Sequence, residues 1–294
     1  MKKKLLLTGA SGFLGYHLMR VAAKDWEIYG LVNSGGFDFE NAIPVKCDIT
    51  SYIELGNFFD EIEPDAVIHV AAISSPDFCQ LNKEISYSVN VAASQNLAGI
   101  CSDFQIPLAF TSTDLVFDGK KGMYTEGDEK NPVNIYGEHK SIAEEEILKI
   151  YPPSGVFRIP LMFGTPEAGN NNFIQKITAQ LKSQQQVPIF TDEFRSICGA
   201  RSISMGLLRL FENYSGIIHL AGKDRLSRYD FGIKLADAFQ LQKEFIQSCS
   251  QKDVKTSAPR AADVSLNISN AISLGYSPMS VDEELIQIYK KLYL

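Results

Sequence analysis

The 294-residue chain has little of what marks several large protein classes. Its five cysteines are an odd set without CxxC spacing, which argues against a disulfide framework or a zinc site and favours a reducing compartment. No window approaches the roughly 18 apolar residues that a membrane span needs. The apolar run after the basic start, Leu5-Leu6-Leu7, is too short for a signal peptide. The sequence therefore predicts a cytoplasmic protein with no membrane partner.

Positive charge is scarce as well. The 28 lysines and arginines against 35 aspartates and glutamates give a formal net charge of −7. Proteins that wrap nucleic-acid phosphates usually carry the opposite sign, so no nucleic-acid partner is expected. Hydrophobic residues at 45% and charged residues at 21% are ordinary globular usage, which excludes a disordered or fibrous chain. The length suggests one large domain or two unequal ones.

Two hydrophobic periods alternate through the first 110 residues. Short apolar runs predict buried strands at 5–7, 28–32, 45–48, 66–70 and 108–110. Helical spacing of apolar residues follows at 12–24, from Ser51 onward and at 89–101, and Ser51 with Glu54 resembles a capping box. Strands that alternate with helices predict an α/β fold, a doubly wound parallel sheet of Rossmann type.

The pattern loosens after Arg158, where stretches rich in Pro, Asn and Gly interrupt shorter helices. This change predicts a first domain over residues 1–163 and a smaller lobe over residues 164–294. We found no clean linker, so the lobe is expected to be interleaved with the sheet. A segment near 216–230 is expected to return to the main sheet.

A glycine-rich loop joins the first predicted strand to the first predicted helix. Gly9 permits a tight turn, Gly12 lets the backbone approach a pyrophosphate, and Gly15 lets the helix pack against the strand. The free N–H groups and the dipole at the helix start favour an anion there. Glycines also serve plain turns, but strand, loop and helix stand in the order that a dinucleotide site requires. We therefore expect NAD(H) or NADP(H) as the cofactor.

The end of the second strand should lie beside the adenosine ribose. An acidic residue there would bind the 2′-hydroxyl of NAD, and an arginine would accept the 2′-phosphate of NADP. Asn33 does neither, so the choice of cofactor stays open. Residues 32–34 include no acidic side chain that would repel a 2′-phosphate, so NADP(H) is slightly favoured.

A Tyr-x-x-x-Lys pattern formed by Tyr136 and Lys140 places both side chains on one face of a helix. An ammonium near a phenol favours the phenolate and lowers a pKa that starts near ~10, so Tyr136 could exchange a proton at neutral pH. The same pattern is also typical of an exposed helix face. Thr113 ends a predicted strand at the sheet edge where ligands bind, and it could bond a substrate oxygen or serve a plain turn.

The order of these residues resembles the extended short-chain dehydrogenases/reductases, and nearly the whole chain takes part. The segment 112–119 with Tyr124, Glu126, Pro132 and 134–137 is similar to the dTDP-4-dehydrorhamnose reductase branch, and Arg158 to Pro160, Gly164, 171–173, 226–229 and Gly275 continue the likeness. This resemblance implies a catalytic triad of Thr113, Tyr136 and Lys140. It also implies NAD(P)H-dependent reduction of a keto group on a nucleotide-activated deoxysugar.

The resemblance also implies cofactor-binding and substrate-binding roles for further residues. The cofactor residues are Gly9, Ser11, Gly12, Phe13, Leu14, Gly15, Asn33, Asp48, Ile49, Ala71, Ala72, Asn90, Tyr136 and Lys140. The substrate residues are Ser112, Asp114, Asn171, Asn172, Phe173 and Arg260. The first domain would then bind the dinucleotide, and residues 164–294 would mainly bind the nucleotide sugar. His17 stands where some rhamnose reductases have a metal-linked glutamate, so no metal is carried over, and the resemblance allows a homodimer.

The chain also departs from the family pattern. Ile197-Cys198 and Arg260-Ala261 stand where Pro-Thr and Arg-Pro are usual, and both segments are expected to shape the sugar-nucleotide pocket, so the sugar stays open. Leu115 follows Asp114 where a 4,6-dehydratase has a second acid, which argues against dehydration. Two alternatives remain: a sugar-nucleotide epimerase, and a non-catalytic regulatory subunit similar to the beta subunit of methionine adenosyltransferase.

Three further side chains have plainer interpretations. His69 lies inside an apolar strand and is expected to be a satisfied core histidine. His139 is expected to face solvent or the rim of the cofactor site. Cys198 is expected to be an inert small apolar residue near the pocket.

Overall fold

A parallel seven-stranded sheet forms the centre of the computed structural model, which describes residues 2–33, 39–165 and 173–293. Its strands are β1 (Lys3–Thr8), β2 (Trp26–Val32), β3 (Ala42–Lys46), β4 (Ala66–His69), β5 (Leu108–Thr113), β6 (Gly155–Ile159) and β11 (Gly216–His219). Their order is β11-β6-β5-β4-β1-β2-β3, and every pair is parallel. The order runs outward in both directions from β1 and β4, as in a doubly wound sheet. The predicted fold class is confirmed.

Helices connect these strands. They are α1 (Phe13–Ala22), α2 (Tyr52–Ile62), α3 (Pro76–Leu81), α4 (Lys83–Tyr87), α5 (Ala93–Phe104), α6 (Ile135–Ile150), α7 (Phe173–Lys182), α8 (Ala200–Leu210), α9 (Arg228–Ala238), α10 (Ser269–Ser273) and α11 (Val281–Tyr293). A π-helical turn covers Ser88–Ala92, and 3-10 turns cover Asp114–Val116, Lys243–Phe245 and Gln251–Asp253. Within the described ranges, no helix has the length and apolar character to cross a bilayer.

The apolar run in β1 serves both faces of the sheet. Successive side chains of a strand point to opposite faces, so Leu5 and Leu7 belong to one buried cluster and Leu6 to another. The first cluster includes side chains of α1 and α8, and the second includes side chains of α2, α5 and α6. A parallel strand that is covered on both faces has a continuous run of apolar residues in its sequence, which is why β1 could be predicted.

The C-terminal half adds a third apolar cluster that contains Phe163, Ile177, Phe231 and Leu285. Three two-stranded sheets surround it, from β7 (Met162–Phe163), β8 (Val187–Phe190), β9 (Phe194–Arg195), β10 (Cys198–Gly199), β12 (Leu226–Ser227) and β13 (Ile246–Cys249). Strand β11 leaves this half and pairs with β6 in the main sheet. Residues 216–219 therefore lie in the main sheet, and the division of the chain into two domains stays a prediction.

Strand β3 and the start of α2 differ in detail from their sequence predictions. Strand β3 ends at Lys46, two residues before the predicted end. The Ser51 hydroxyl caps α2 by accepting from the Glu54 N–H at 3.3 Å, but the Glu54 carboxylate accepts from the Asp48 N–H at 3.0 Å. The capping box is thus only half formed, and Glu54 instead holds the backbone of Asp48.

Candidate active site

A cleft of about 880 Å³ gathers the loops that follow several strands of the main sheet. Of the site residues expected from the sequence, these line it: Gly9, Ser11, Gly12, Phe13, Leu14, Gly15, Asn33, Asp48, Ile49, Ala71, Ala72, Ser112, Thr113, Asp114, Tyr136, Lys140, Phe173 and Arg260. Asn171 and Asn172 lie outside the described residues. Asn90 is described but does not line the cleft. Motifs that are far apart in the sequence therefore line one continuous wall of the cleft.

The glycine-rich loop has the geometry of an anion cradle. Gly12 is the N-cap of α1 and supplies no capping side chain, and the first helical turn contains no acidic residue. The N–H groups of that turn and the helix dipole thus favour a negative group at the cleft surface. Gly9 has a φ of +67°, and a Cβ at Gly15 would lie 2.3 Å from the Gly9 carbonyl oxygen. These residues fit the pyrophosphate of a dinucleotide.

A buried hydrogen-bond chain ties this loop to the end of β4. The Thr8 hydroxyl accepts from the Ala71 N–H at 3.1 Å and bonds His69 Nδ1 at 2.6 Å, while His69 Nε2 lies 3.0 Å from the Ser94 hydroxyl. Burial lowers the pKa of His69 to about 3, so the ring is neutral. His69 is therefore a satisfied core histidine, as expected, and it steadies Ala71 in the cleft wall.

Asn90 acts behind the wall rather than in it. Its Oδ1 accepts from the Ile73 N–H at 2.9 Å, and its Nδ2 donates to the Ile73 carbonyl at 3.1 Å. Because Ile73 lines the cleft, Asn90 holds the cleft backbone from its rear side. Asn90 lies in the π-helical turn, so the predicted helix at 89–101 is regular only from α5 onward. The expected direct contact with a cofactor is not supported by this position.

The expectation for His139 is wrong. The residue is only 6% exposed, its Nδ1 lies 2.8 Å from the Ser86 hydroxyl, and the Tyr87 ring meets the imidazole edge-on at 5.5 Å. Burial lowers the pKa of His139. The short helices α3 and α4 pack against this side of α6, which a sequence pattern cannot show, so His139 faces the interior rather than solvent.

Thr113 and Asp114 stand where β5 ends. The Thr113 hydroxyl donates to Asp114 Oδ1 at 3.0 Å and accepts from the Leu115 N–H at 3.2 Å. Asp114 is 3% exposed, and within the described part of the chain its Oδ2 has no hydrogen-bond partner. Burial raises the pKa of Asp114 to about 6, against the lowering effects of Arg195, whose Nε lies 3.7 Å away, and of the Thr113 hydroxyl. This carboxyl can therefore change protonation near neutral pH.

Tyr136 lies in the first turn of α6, which Asn134 anchors. Asn134 Oδ1 accepts from the Gly137 N–H at 3.0 Å, and its Nδ2 donates to the Pro259 carbonyl at 3.1 Å. Burial raises the pKa of Tyr136, the charge of Asp114 raises it further, and a hydrogen bond with Thr113 opposes both. The lowered phenol pKa expected from the sequence is therefore wrong, and Tyr136 is a neutral phenol with a proton to give.

Lys140 is a buried cation at 2% exposure. Its Nζ lies 3.9 Å from the centre of the Phe110 ring, a cation–π distance. Burial lowers the pKa of Lys140 to about 7, and the carboxylate of Glu144, one helical turn on, opposes that effect. Glu144 is itself held by Arg158 through contacts of 2.9 and 2.8 Å. The largest cause of the raised pKa of Tyr136 is burial of the phenol itself, against the lowering expected from Lys140.

A charged cluster that the sequence did not reveal completes the cleft. Glu193, 2% exposed, lies at its centre, with Arg195 Nη2 at 3.2 Å, Arg228 Nη1 at 3.1 Å and Arg260 Nη1 at 3.2 Å. All four residues line the cleft. Only Arg260 was expected there. The members come from segments up to 67 residues apart, and no spacing rule connects them.

The two departures from the family pattern fall behind the cleft. Ile197 and Cys198 are fully buried and do not line it, and Ala261 is 1% exposed. Cys198 Sγ lies 3.5 Å from the Tyr276 hydroxyl, and burial raises its thiol pKa. Cys198 is therefore inert, as expected. Ile197 and Cys198 lie in the core, so the expectation that their segment shapes the pocket is not supported by their position.

Known proteins match this chain over most of its length. The family model of the RmlD substrate binding domain matches residues 3–294. A probable low-salt glycan biosynthesis reductase of Haloferax volcanii is 30% identical over 285 residues and covers 95% of each chain. Methionine adenosyltransferase 2 subunit beta of Danio rerio is 27% identical over 286 residues, which cover 94% of this chain and 86% of the relative.

Solved structures agree. A hypothetical dTDP-4-dehydrorhamnose reductase from Sulfolobus tokodaii is 30% identical, with a TM-score of 0.84 over 95% of this chain and 98% of that chain. The dTDP-4-dehydrorhamnose reductase of Bacillus anthracis, solved in complex with NADP, shares the fold at 21% identity, with a TM-score of 0.88 over 99% of this chain and 100% of that one. The chain therefore belongs to the RmlD substrate binding domain family, within the dTDP-4-dehydrorhamnose reductase-like branch of the extended short-chain dehydrogenases/reductases.

Proposed function

We propose that the protein is an NAD(P)H-dependent reductase of a keto group on a nucleotide-activated deoxysugar, with a 4-keto-6-deoxyhexose as the sugar. One observation carries the proposal: a single cleft joins an anion-binding glycine loop to Thr113, to a neutral Tyr136 and to a buried Lys140. The reductase names of the Haloferax volcanii and Sulfolobus tokodaii relatives support the reaction class. An epimerase is disfavoured, because these two relatives reach 30% identity, whereas the UDP-glucose 4-epimerase of Thermotoga maritima shares the fold at 19% identity.

Gly9, Gly12 and Gly15 would hold the pyrophosphate, Asp48 and Ile49 the adenine, and Lys140 the nicotinamide ribose. When bound, the dihydronicotinamide supplies a hydride to the carbonyl carbon. NADP(H) is the favoured form, because Asn33 carries no charge to repel a 2′-phosphate and the Bacillus anthracis relative is solved with NADP. Ala71 and Ala72 would form the wall beside the nicotinamide.

The three catalytic side chains have separate tasks. Tyr136 gives its proton to the carbonyl oxygen as negative charge develops there, which its raised pKa permits because the phenol is protonated at neutral pH. Thr113 redirects its hydroxyl from Asp114 to the same oxygen and so orients it. Lys140 would position the cofactor by binding the nicotinamide ribose.

The nucleotide sugar would meet the remaining lining residues. Three guanidinium groups around Glu193 leave an excess of positive charge, which suits the two phosphates of a nucleotide sugar. Ser112, Asp114 and Phe173 line the same cleft and would contact the sugar or the base. Asn171 and Asn172 stay predicted substrate residues.

The decisive experiment removes one oxygen from the cleft. In Tyr136→Phe the ring that packs on α6 remains, so folding and cofactor affinity should survive while kcat falls by ~10²–10⁴, the contribution of a positioned general acid. The matched variant Thr113→Val should also lower kcat with little change in cofactor affinity. The assay is NADPH oxidation with a nucleotide-linked 4-keto-6-deoxyhexose, alongside fluorescence titration of NADPH.

Two results would overturn the proposal. Near-normal turnover by a folded Tyr136→Phe protein would remove Tyr136 as the proton donor. Tight cofactor binding by the parent protein without turnover of any keto-sugar would favour a non-catalytic regulatory subunit, and the Danio rerio relative is named a beta subunit of methionine adenosyltransferase 2.

We also propose a cytoplasmic homodimer. All five cysteines are free thiols, which suits a reducing compartment. Sedimentation equilibrium of the purified chain tests the assembly, and a monomer at micromolar concentration would contradict it. Fractionation of the source cells tests the location.

A further inference from the structure

Asp114 is a buried carboxylate beside Thr113, and the proposed reaction changes its hydrogen bonding. The residue is 3% exposed, lines the cleft and lies in the 3-10 turn directly after β5. Its Oδ1 accepts from the Thr113 hydroxyl at 3.0 Å, and its Oδ2 has no hydrogen-bond partner among the residues that the structure describes. Arg195 Nε, at 3.7 Å from Oδ2, supplies a positive charge but is too distant for a hydrogen bond. The carboxylate therefore depends on the proton of the Thr113 hydroxyl.

The proposed reaction takes that proton away from Asp114. A hydroxyl has one proton to donate, so Thr113 cannot donate to a substrate carbonyl oxygen and to Asp114 at the same time. The Leu115 N–H donates to Thr113 Oγ1 at 3.2 Å and holds this oxygen in place while its proton turns. Asp114 Oδ1 then becomes a buried acceptor that has lost its donor, which is unfavourable and more so for a charged group. A productive substrate must supply a new donor.

A hydroxyl on the carbon next to the ketone meets this need. In a 4-keto-6-deoxyhexose the carbonyl carbon C4 lies between C3, which carries a hydroxyl, and C5, which carries the methyl group. The oxygens on C3 and C4 lie as far apart as two hydrogen-bonded oxygens, about 2.7–3.0 Å. Thr113 Oγ1 and Asp114 Oδ1 are 3.0 Å apart. The two pairs of oxygens therefore match, with the ketone oxygen on Thr113 and the C3 hydroxyl on Asp114.

The charge around Asp114 suits an acceptor. Burial raises its pKa to about 6, and Arg195 and the Thr113 hydroxyl oppose that rise, so the carboxylate form prevails at neutral pH. A carboxylate only accepts hydrogen bonds, and a charged acceptor forms stronger bonds than a neutral one. Glu193, another carboxylate of the cleft wall, is already paired with three arginines. Asp114 therefore keeps an acceptor for a sugar hydroxyl beside the ketone.

We propose that Asp114 selects substrates with a hydroxyl on the carbon adjacent to the ketone, by accepting from that hydroxyl when Thr113 turns its own proton toward the carbonyl oxygen. The inference rests on the proposed function and adds a substrate class to it: nucleotide sugars that are α-hydroxy ketones. An analogue with a methylene at that carbon leaves Asp114 Oδ1 unpaired. Sites built to bind a hydroxyl strongly reject an analogue that lacks it, because their buried polar groups are left without a partner.

The test compares two nucleotide-linked ketones at saturating NADPH: the 4-keto-6-deoxyhexose, and the 4-keto-3,6-dideoxyhexose that lacks the C3 hydroxyl. The parent protein should favour the first by roughly 10–100-fold in kcat/KM, the effect of a hydrogen bond to a charged group. Asp114→Ala should bring this ratio close to one, and Asp114→Asn, whose amide oxygen still accepts, should restore part of it. The matched control Asp48→Ala removes a carboxylate from the part of the cleft assigned to the adenine, and it should leave the ratio unchanged.

The ratio separates selection from a structural role. A merely structural Asp114 would lower both rates in Asp114→Ala and leave the ratio at the parent value, which would overturn the proposal. If Asp114→Ala does not fold, a parent-like ratio in Asp114→Asn overturns it in the same way. Equal kcat/KM for the two ketones in the parent protein would also overturn it, while the reductase function would stand.

A different result would reject the proposed function and still decide about Asp114. If the parent protein reduces neither ketone, calorimetric titration of the chain with bound NADP⁺ compares the affinities for the two nucleotide sugars. Tighter binding of the sugar with the C3 hydroxyl, lost in Asp114→Ala, would support the selection by Asp114. Equal affinities in the parent protein would contradict it.

Discussion

Lys140 shows how one residue balances burial against charge. Its pKa of about 7 places the loss of its proton within the physiological range. If the ammonium holds the nicotinamide ribose, NADPH binding above pH 7 must take up a proton. We expect NADPH affinity to fall between pH 7 and pH 9, by at most about tenfold per pH unit. Fluorescence titration across this range measures the slope.

Lys140→Met supplies the control for that slope. The variant keeps an unbranched side chain against Phe110 but has no proton to lose, so its NADPH affinity should be weaker at pH 7 and nearly constant up to pH 9. A parent protein whose affinity is equally constant would show that Lys140 does not titrate there.

Asn33 governs the preference between cofactors if it lies at the ribose. A carboxylate at this position would bind a 2′-hydroxyl and repel a 2′-phosphate. Asn33→Asp should therefore shift the ratio of kcat/KM for NADPH over NADH toward NADH by roughly 10–100-fold, the effect of about 1.4–2.8 kcal/mol. Asn213→Asp makes the same change of charge at an exposed site outside the cleft, and the ratio should stay where it was. An unchanged ratio in Asn33→Asp would place the ribose elsewhere.

At the scale of elements, the close approach of α1 to β1 depends on Gly15. An added Cβ would lie 2.3 Å from the Gly9 carbonyl oxygen, so backbone must move in Gly15→Ala. We expect the free energy of unfolding to fall by about 1–3 kcal/mol and NADPH affinity to fall with it. Urea denaturation and NADPH titration measure the two effects.

Gly99 provides the matched control in another helix. A Cβ there would meet nothing within 4 Å, so Gly99→Ala should raise the free energy of unfolding by roughly 0.5–1 kcal/mol through helix propensity alone. Similar changes in the free energy of unfolding for the two variants would show that the tight packing at Gly15 does not affect stability.

Elements with strong local signals were predictable from the sequence. The leucines of β1, the glycine loop and the Tyr136–Lys140 face each depend on residues close in the chain. The structure places the leucines in the core and brings the glycine loop, Tyr136 and Lys140 to the cleft. The Glu193 cluster depends instead on contacts with Arg228 and Arg260, which lie 35 and 67 residues further along the chain. The raised pKa of Tyr136 and the burial of His139 likewise depend on neighbours from other elements.

At the scale of the whole molecule, β11 makes the sheet depend on the C-terminal half. A fragment of residues 1–163 would lack β11 and leave β6 as an uncovered edge, and the cluster that includes Leu5 and Leu7 would lose Ile203 and Leu207. We expect this fragment to aggregate or to lack a fixed tertiary structure. Near-UV circular dichroism and amide NMR dispersion compare it with the full chain. A well-dispersed native spectrum from the fragment would show that the first domain folds independently.

The placement of the thiols gives the protein a tolerance to oxidants and alkylating reagents. Four of the five cysteines are buried, and burial raises the thiol pKa of all five, that of Cys47 to about 11. The thiolate is the reactive form, so little of it is present at neutral pH. Iodoacetamide should label the folded chain slowly, with Cys249 first because it alone of the five is partly exposed. Cys47 lies in the cleft wall, so a bound dinucleotide would shield it from peroxide as well.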